Sequence, residues 1–315
     1  MEKFLLIVIL LFPLAGITKE INHSVSRQTT TKTLLVYDVT QENGKLRNYR
    51  NTGEHFSSGV DFSNIDLHGF AELKLSASAQ FSASALPYIL QHAKGTVYII
   101  DLRQEPHGFI NGKAFTRFSY RNQINIDKSS KQIDLEEHNL LLKLASYKHI
   151  SLHKIKKTGG GHFQSVKKFA IKIKKIESEQ AVVQRHGAKY KRFYVLDRCK
   201  PCDTQVDEFI DFVRSLPKDV WLHFHCRAGK GRTTTFMVMY DMIRNAKQVS
   251  FEDILSRNIE LGGSILDDIP SAKESKWTTE PAINRYKFIQ KFYDYVIDQN
   301  GYNKTSWREW SNSKS

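Results

Sequence analysis

The sequence predicts an α/β fold in which a central sheet is flanked by helices, and three observations carry this prediction. First, short apolar runs typical of strands alternate along the chain with segments of helical periodicity. Second, the apolar run at 220–224 passes through a loop with two glycines into a helical pattern at 233–245. Third, apolar residues and lysines alternate around the glycine run 159–161, as in two strands joined by a hairpin. We therefore expect an α/β core that carries a basic, β-rich insertion around residues 148–176.

The other elements follow from the same patterns, taken in chain order. Runs rich in β-branched and aromatic residues predict strands at 33–38, 95–101 and 191–196. Helical spacing of apolar residues predicts helices at 134–146, 177–187, 205–216, 251–260 and 283–299. Two of the strands lead into carboxylates, Asp101 and Asp197. Since α/β proteins place their sites at the carboxyl ends of strands, these acids are candidates for function.

The composition is that of a globular protein with a marked positive charge. The 315 residues can bury one large core or two modest ones, and 40% hydrophobic with 25% charged residues is ordinary for a soluble chain. A net charge of +14 predicts polyanionic partners, and nine lysines without an acidic residue fall between 148 and 176. A solvated basic face is the plain alternative. Nucleic-acid-binding motifs are absent from the sequence, so we expect a densely phosphorylated small molecule rather than nucleic acid.

The N-terminus has the pattern of a secretory leader. Lys3 precedes the apolar run 4–12, and a proline and small residues follow it, which predicts a signal peptide over 1–18. The run is shorter than the roughly 20 residues that span a bilayer. We expect a periplasmic or secreted protein without a stable membrane anchor, with a flexible tail at 19–32 and one domain at 33–315.

The loop that follows the strand at 220–224 carries the chemistry, and it reads HCRAGKGRTT from His225 to Thr234. Backbone N–H groups of such a loop and of the first helical turn have no intrahelical partners, so they converge on an anion. Glycines let the backbone approach the ligand, and Arg232 can hold two phosphate oxygens at once. In this positive field Cys226 is placed to attack as the thiolate.

Other sites share only parts of this pattern. Neither the Gly-x4-Gly-Lys-Ser/Thr motif of nucleotide-binding loops nor the Gly-x-Gly-x-x-Gly dinucleotide fingerprint is present in the loop. A buried core cysteine would explain Cys226 alone, but not the arginine and threonine that follow at 232 and 233. The loop resembles the Cys-x5-Arg loop of the protein-tyrosine-phosphatase superfamily, whose reaction passes through a phosphocysteine.

Such a reaction needs an acid that protonates the leaving alkoxide. Asp197 lies 29 residues before Cys226 and opens a loop that contains Pro201. An ordinary turn aspartate is the plain alternative, but the cysteine loop behind it makes Asp197 the predicted acid. The same carboxylate could then activate the water that hydrolyses the intermediate. No metal or other cofactor is required by this chemistry, and we find no metal-ligand spacing in the sequence.

Four segments together resemble the cysteine phytases, the tyrosine-phosphatase-like myo-inositol hexakisphosphate phosphohydrolases of bacteria. They are DLRQEPHGFING at 101–112, Asp197 with Pro201, LHFHCRAGKGRTT at 222–234 and IELGG at 259–263. The resemblance covers roughly Arg47 to Trp310. It implies a tyrosine-phosphatase-like core with a small inserted partial β-barrel, and stepwise hydrolysis of phytate.

The resemblance also implies roles for single residues. Cys226 is the nucleophile, Arg232 binds the phosphate, Asp197 is the general acid, and Thr233 helps to expel the cysteine sulfur. The loop residues expected around the phosphate are His225, Arg227, Ala228, Gly229, Lys230 and Gly231. Substrate contacts outside the loop are expected from Arg50, Asp127, His162, Lys276 and Arg285.

Two features depart from the pattern of many relatives. Arg227 and Lys230 replace an acidic and an apolar residue, which predicts a preference for multiply phosphorylated rings; the alternative is that both side chains point to solvent. Cys199 and Cys202 form a Cys-x-x-Cys motif in the loop that carries Asp197. They form either a disulfide that rigidifies this loop or two unpaired thiols.

Three functions therefore compete. The first is an exported phytate phosphatase, and the second is a secreted effector phosphatase that acts on phosphoinositides or phosphotyrosine proteins. The third is a catalytically silent polyanion-binding module, which the presence of Cys226, Arg232 and Asp197 disfavours.

Overall fold

The computed structural model describes residues 32–42, 45–53, 62–93, 95–267, 276–299 and 305–314. The predicted leader, and all of the predicted tail except Lys32, lie outside the described residues. In the part of the chain that is described, no helix is both long enough and apolar enough to cross a bilayer.

The strands and helices are numbered in chain order. The strands are β1 (Leu34–Tyr37), β2 (Gln41–Glu42), β3 (Lys45–Leu46), β4 (Arg50–Asn51), β5 (Leu75–Ala79), β6 (Thr96–Asp101), β7 (His107–Ile110), β8 (Lys113–Phe118), β9 (His149–Gly159), β10 (His162–Lys172), β11 (Ile176–Glu177), β12 (Lys189–Arg192) and β13 (Val220–Cys226). The helices are α1 (Leu86–Gln91), α2 (Ser130–Ala145), α3 (Glu179–Arg185), α4 (Asp203–Ser215), α5 (Gly231–Asn245), α6 (Phe251–Glu260), α7 (Lys276–Asp298) and α8 (Trp307–Ser313). Short 3₁₀ turns lie at Ala71–Leu73, Ala83–Ala85 and Tyr120–Asn122.

A five-stranded sheet forms the centre of the fold, in the order β12-β6-β13-β5-β4. The first four strands are parallel, and the edge strand β4 is antiparallel to β5. Apolar residues on one face pack with α4, α5, α6 and α7, and those on the other face pack with α1 and α3. β13 is buried along its whole length, because it has a strand on either side and helices above and below. The predicted helix-flanked α/β core is therefore confirmed.

A second sheet contains six strands in the order β10-β9-β1-β8-β7-β11. All its pairs are antiparallel except β1 with β9. Helix α2 packs against it through a small apolar cluster that includes Leu140, Leu141 and Leu144. The predicted lysine-rich hairpin is present as β9 and β10, but β1, β7 and β8 come from outside residues 148–176, and β11 begins at the last of these residues, Ile176. The sheet is thus larger than the insertion that the sequence predicts.

The strand before Asp197 is shorter than predicted. It ends at Arg192 rather than at 196, because its partner β6 ends at Asp101. The next amide, that of Phe193, donates to the Asp101 carbonyl at 2.8 Å, and the Val195 amide donates back to the Phe193 carbonyl at 3.0 Å. The chain therefore leaves the sheet several residues before Asp197.

Two elements have a weak sequence signal. β5 reads LSASA and lacks β-branched residues, but its two serines are buried and hydrogen-bonded to both ring nitrogens of His223, at 2.8 Å and 3.0 Å. Helix α7 begins at Lys276 rather than at 283, and it contains Pro281 in its second turn, which interrupts the apolar periodicity.

Candidate active site

Cys226 is the last residue of β13, at the carboxyl end of the central sheet, and only 3% of its surface is exposed. The loop that follows turns sharply at Gly229, which has a φ of +67°. A Cβ at this position would lie 2.3 Å from the amide nitrogen of Ala79, at the end of β5. Only glycine therefore brings the loop this close to the neighbouring strand.

The loop leads directly into α5, which begins at Gly231. The first amides of a helix carry no intrahelical bond, so they are free to bind an anion beside Cys226. The hydroxyl of Thr233 is buried, and no hydrogen-bond partner for it exists among the described residues. A phosphate oxygen or the Cys226 sulfur can accept a hydrogen bond from this hydroxyl, which is compatible with the role expected of Thr233.

Arg232 is buried and held by Glu105 through two parallel hydrogen bonds. Its Nη1 donates to Glu105 Oε2 at 2.7 Å and its Nη2 donates to Glu105 Oε1 at 2.9 Å. Nη1 also donates to the Val195 carbonyl at 3.0 Å. Burial opposes ionisation of Glu105, but the guanidiniums of Arg232 and Arg103 hold its pKa well below the usual range. The pKa of Arg232 is raised against its own burial by Glu105 and Asp197, so the guanidinium keeps its charge.

Asp197 lies next to this guanidinium, with Oδ1 3.1 Å from Arg232 Nη2. Asn122 Nδ2 donates to the other carboxyl oxygen at 3.3 Å, and Gln123 Nε2 donates to the Asp197 carbonyl at 3.4 Å. The carboxyl side chain stays 20% exposed. The predicted acid and the predicted phosphate ligand are thus neighbours, although Asp197 comes from a different loop.

Two further cations surround the same space. Lys157, near the tip of the β9–β10 hairpin, has its pKa lowered by desolvation and by three arginines (198, 227 and 232), which outweigh the opposite effect of Asp197. Arg285 of α7 donates to the Arg198 carbonyl at 3.0 Å, and its Nη1 would lie 3.0 Å from a Cβ at Gly231. Burial lowers the pKa of Arg285, while nearby Cys199 and Cys226 raise it.

Two predicted substrate cations make protein contacts instead. Arg50 is buried, and its guanidinium donates to the Gly229 carbonyl at 2.9 Å and to Thr234 Oγ1 at 3.3 Å; burial lowers its pKa to about 10. Arg227 Nε donates to Asp38 Oδ1 at 2.7 Å, so a carboxylate already compensates its charge. These contacts make Arg50 a support of the loop, while a direct phosphate contact by either residue stays a prediction.

The other predicted contacts are spread more widely. His225 is fully buried, with Nε2 2.6 Å from Glu179 Oε1, so its ring packs under the loop. Three of them are exposed: Asp127 after the 3₁₀ turn, His162 at the hairpin tip and Lys276 at the start of α7. The His162 ring lies 4.8 Å from the ring of Tyr120, and no contact of Asp127 with Asp197 or Arg232 is seen in the described structure.

A network of buried charges lies beneath the site. His107 contacts Asp101 at 3.2 Å and Glu179 at 3.5 Å, and their ligand atoms lie within 4.8 Å of one another, close enough to hold a metal. Burial and Arg103 disfavour the charged imidazole, but Asp101 and Glu137 raise the pKa of His107 to about 10. In the described structure His107 forms ion pairs with the carboxylates of this cluster.

Sequence reasoning gave no role to Glu105, Asn122, Lys157 or Glu179. Glu105 stands four residues after β6 in the DLRQE segment, and its place at the end of a parallel strand was the available signal. Asn122 lies in a turn whose position depends on how the strands of the second sheet pair. The local sequence does not show this pairing. Lys157 is one of nine lysines in its segment, and only the register of the hairpin distinguishes it.

Cys199 and Cys202 are free thiols in the structure, with Cys199 half-buried and Cys202 exposed at the start of α4. Burial and Asp197 raise the pKa of Cys199. A disulfide between the two under oxidising conditions stays a prediction.

Comparisons with known proteins point in one direction. A sequence model of the PTP-like phytase family, described as "Inositol hexakisphosphate", matches residues 100–244. The chain is 35% identical to a PTP-like phytase from Bdellovibrio bacteriovorus, with a TM-score of 0.69 over 89% of this chain and 95% of that one. It is 34% identical to the PTP-like myo-inositol phosphatase from Mitsuokella multacida solved with myo-inositol-(1,3,4,5)-tetrakisphosphate, with a TM-score of 0.80 over 90% of this chain and 48% of that one. It is also 28% identical over 291 residues to the effector protein hopD2 of Pseudomonas syringae pv. tomato, of which it spans 61%.

Proposed function

The chain belongs to the PTP-like phytases, a family of phosphoric monoester hydrolases, and from this premise we propose that it removes phosphate groups from inositol hexakisphosphate through a phosphocysteine intermediate. The observation that carries the proposal is the meeting of Cys226, Arg232 and Asp197 at one end of the central sheet. Asp197 Oδ1 lies 3.1 Å from Arg232 Nη2, and Glu105 fixes the same guanidinium.

In the first step the Cys226 thiolate attacks phosphorus and the bond to the inositol oxygen breaks. Arg232 and the amides at the start of α5 hold the non-bridging oxygens, where negative charge must be stabilised. A phosphate on Arg232 competes with Asp197 for Nη2, so binding of substrate frees the carboxyl group to face the leaving oxygen. Asp197 gives its proton to that oxygen, a step that contributes about 10²–10⁴-fold in comparable enzymes.

In the second step water attacks the phosphocysteine. Asp197, now ionised, accepts a proton from this water, and inorganic phosphate forms as the bond between phosphorus and sulfur breaks. The departing Cys226 sulfur carries the negative charge. Since the buried Thr233 hydroxyl has no other partner in the described structure, it is available to stabilise this sulfur.

The surroundings of the site support a substrate with many phosphates. Lys157 of the β9–β10 hairpin and Arg285 of α7 lie beside Asp197 and Arg232. Such cations favour ligands with several phosphates, because each further phosphate finds a positive partner. Inositol hexakisphosphate carries a phosphate on every ring carbon, so it can engage the loop and the outer cations together.

The mechanism is tested with purified protein and phosphate-release assays. We expect Cys226→Ser to abolish turnover, and Asp197→Asn to reduce kcat by about 10²–10⁴-fold for inositol hexakisphosphate. The Cys226 variant should also fail to give the covalent phosphoenzyme that the wild-type protein gives on rapid denaturation. Phosphate release by Cys226→Ser would contradict the mechanism.

A second candidate is an effector phosphatase that acts on phosphoinositides or phosphotyrosine proteins. The similarity to hopD2, which extends over 90% of this chain, favours it. The two candidates differ in kcat/KM for inositol hexakisphosphate, dispersed phosphatidylinositol phosphates and phosphotyrosyl peptides. We expect the inositol phosphate to be preferred, and a higher kcat/KM for the lipid or the peptide would favour the second candidate.

Export is part of the proposal, and the basic and apolar pattern of residues 1–18 supports it. Expression in a bacterial host of the full chain and of residues 19–315 tests this point. The full chain should appear in the periplasm or medium in a shortened form, whereas the truncated chain should stay in the cytosol. Equal distribution of the two would contradict export by this leader.

A further inference from the structure

Three segments that are distant in the sequence meet around the ring of Trp277, in the first turn of α7. The guanidinium carbon of Arg198 lies 4.6 Å from the ring centroid, and that of Arg121 lies 5.4 Å from it. Both distances are within the range in which a guanidinium is attracted to an indole ring. Arg198 directly follows the general acid Asp197, so the ring of Trp277 is linked to the acid through one peptide unit.

The backbone on both sides of this contact is in a conformation that needs support. Arg198 has a φ of +69°, and Arg121 and Asn122 have φ values of +55° and +60°. Residues with a Cβ seldom occupy this left-handed region unless their surroundings hold them there. One support is visible beneath the loop, where Arg285 Nη1 donates to the Arg198 carbonyl at 3.0 Å.

Arg121 is in turn held by the tip of the lysine-rich hairpin. Its amide donates to the Gly161 carbonyl at 2.9 Å, and a Cβ on Gly161 would lie only 2.3 Å from Arg121 Cγ. Arg121 also lies 4.9 Å from the ring of Tyr120, against which His162 packs. Arg121 is therefore packed between the tip of the hairpin and Trp277. The neighbouring Asn122 contacts the Asp197 carboxyl group directly.

We propose that Arg121, Trp277 and Arg198 form a clamp that holds Asp197 in the position from which it protonates the leaving oxygen. The three residues are positioning residues, because they act on the reaction through Asp197. The proposal rests on the proposed role of Asp197 as general acid. The β9–β10 hairpin then has two roles: it supplies positive charge, and it stabilises the general-acid loop.

The clamp has a kinetic signature that loss of substrate binding does not produce. A general acid matters in proportion to the basicity of the leaving group, so it assists an alkoxide or phenolate strongly and a dinitrophenolate hardly at all. A misplaced Asp197 should therefore lower kcat/KM, which reports the transfer of phosphate to Cys226, for poor leaving groups and leave it unchanged for good ones. A weakened phosphate site would lower the rate for every substrate alike.

The test compares a series of aryl phosphates, from phenyl to 2,4-dinitrophenyl phosphate, and inositol hexakisphosphate. Trp277→Ala should lower kcat/KM roughly tenfold for phenyl phosphate and inositol hexakisphosphate, and leave it unchanged for 2,4-dinitrophenyl phosphate. Trp277→Phe keeps an aromatic face and should restore most of the loss. Glu280→Gln, an exposed position on the same helix, should behave as the wild-type protein. Arg121→Gln provides a second variant in case the tryptophan change impairs folding, and it should show the same dependence on the leaving group.

Asp197→Asn serves as the reference for the series. If this variant shows the dependence on the leaving group and Trp277→Ala shows a uniform loss or none, the clamp is contradicted while the proposed function stands. If Asp197→Asn itself lacks the dependence, its role as general acid fails, and the clamp fails with it. Proportional losses in Asp197→Asn, Trp277→Ala and Arg121→Gln would support the clamp.

Discussion

At the residue scale, the site depends on the fixed direction of one guanidinium. Arg232 donates two hydrogen bonds to Glu105, and its Nη2 also lies next to the Asp197 carboxylate. A guanidinium that is free to rotate would lose entropy on binding phosphate, whereas this one is already oriented. The burial of Glu105 is tolerable because Arg232 and Arg103 neutralise its carboxylate.

Gly229 gives a testable prediction at this scale, because two separate effects of a side chain can be distinguished there. Gly229 and Gly187 have φ values of +67° and +79°, but a Cβ at Gly229 would lie 2.3 Å from Ala79 N, whereas nothing lies within 4 Å of one at Gly187. We expect Gly187→Ala to cost about 1 kcal/mol of unfolding free energy with unchanged kcat/KM. Gly229→Ala should cost more and remove most of the activity, because the loop must move away from β5. Urea unfolding and kcat/KM measure both, and equal effects in the two variants would contradict the steric argument.

The residues proposed to be catalytic are also where the sequence is most informative. Cys226 and Arg232 occupy one short loop, so their spacing and the flanking strand and helix are local information. Glu105 binds Arg232 and Asn122 binds Asp197 from other segments, and nothing in the local sequence around Glu105 or Asn122 predicts these partners. The sequence could not separate a supporting role for Arg50 from a binding role either, because a buried and an exposed arginine look alike until the fold is known.

At the element scale, the lysine-rich hairpin shows how a charge pattern becomes specific through register. Lys157 pairs with Phe163, whose ring packs on Phe118 at 4.9 Å, and Arg227 lies over Phe118 at 5.0 Å. This face of β9 therefore lies toward the loop after β13. Lys156 points to the opposite face, because side chains alternate along a strand.

The two neighbouring lysines give a matched pair of variants. Lys157→Ala should raise KM for inositol hexakisphosphate roughly tenfold, because a cation near Asp197 and Arg232 is lost. Lys156→Ala removes the same charge from the hairpin and should leave KM nearly unchanged. The salt dependence of KM should also weaken only in the Lys157 variant. Equal KM values for both variants would show that the hairpin acts only through its total charge.

The elements that sequence patterns missed are those whose stability comes from partners. β5 has few β-branched residues, but its serines are paired with His223 in the middle of the sheet. The strand before Asp197 stops at Arg192 since β6 offers no further partner. The position of the second sheet depends on pairs between β1, β7, β8 and β9, which are far apart in the sequence.

At the scale of the whole molecule, a network of buried ionic groups joins the two sheets beneath the active site. Asp101 and Arg192 belong to the central sheet, His107 to the second sheet and Glu137 to α2. Arg192 Nη1 donates to Glu137 Oε1 at 2.9 Å, and His107 Nε2 lies 3.2 Å from Asp101 Oδ2. Removing the charge of one member leaves its partners buried without compensation. The protonation state of the network therefore affects the free energy of unfolding of the whole domain.

This network predicts how stability depends on pH. In the folded protein the carboxylates of Asp101 and Glu137 outweigh burial and Arg103 and raise the pKa of His107 to about 10, from 6.5 when the residue is unperturbed. The folded state therefore binds this proton more tightly, and the stabilisation is complete below pH 6.5 and is lost as the pH rises through about 10. Glu179 has the opposite shift: against its burial, His225 and His107 lower its pKa to about 2, so its contribution is present above pH 4.5 and is lost as the pH falls toward 2.

We therefore expect the unfolding free energy to decline on the alkaline side, by up to about 1.4 kcal/mol per pH unit from this one proton. Urea unfolding between pH 6.5 and 10 measures the slope. His107→Gln should be less stable at pH 6.5 and should lack that part of the slope, because no imidazole remains to release the proton. His138→Gln, which removes an exposed histidine from α2, should keep the wild-type slope. A His107→Gln protein with the full alkaline decline would show that the proton is held elsewhere in the network, and the ionic link between the two sheets would then have to be assigned to Arg192 and its carboxylates alone.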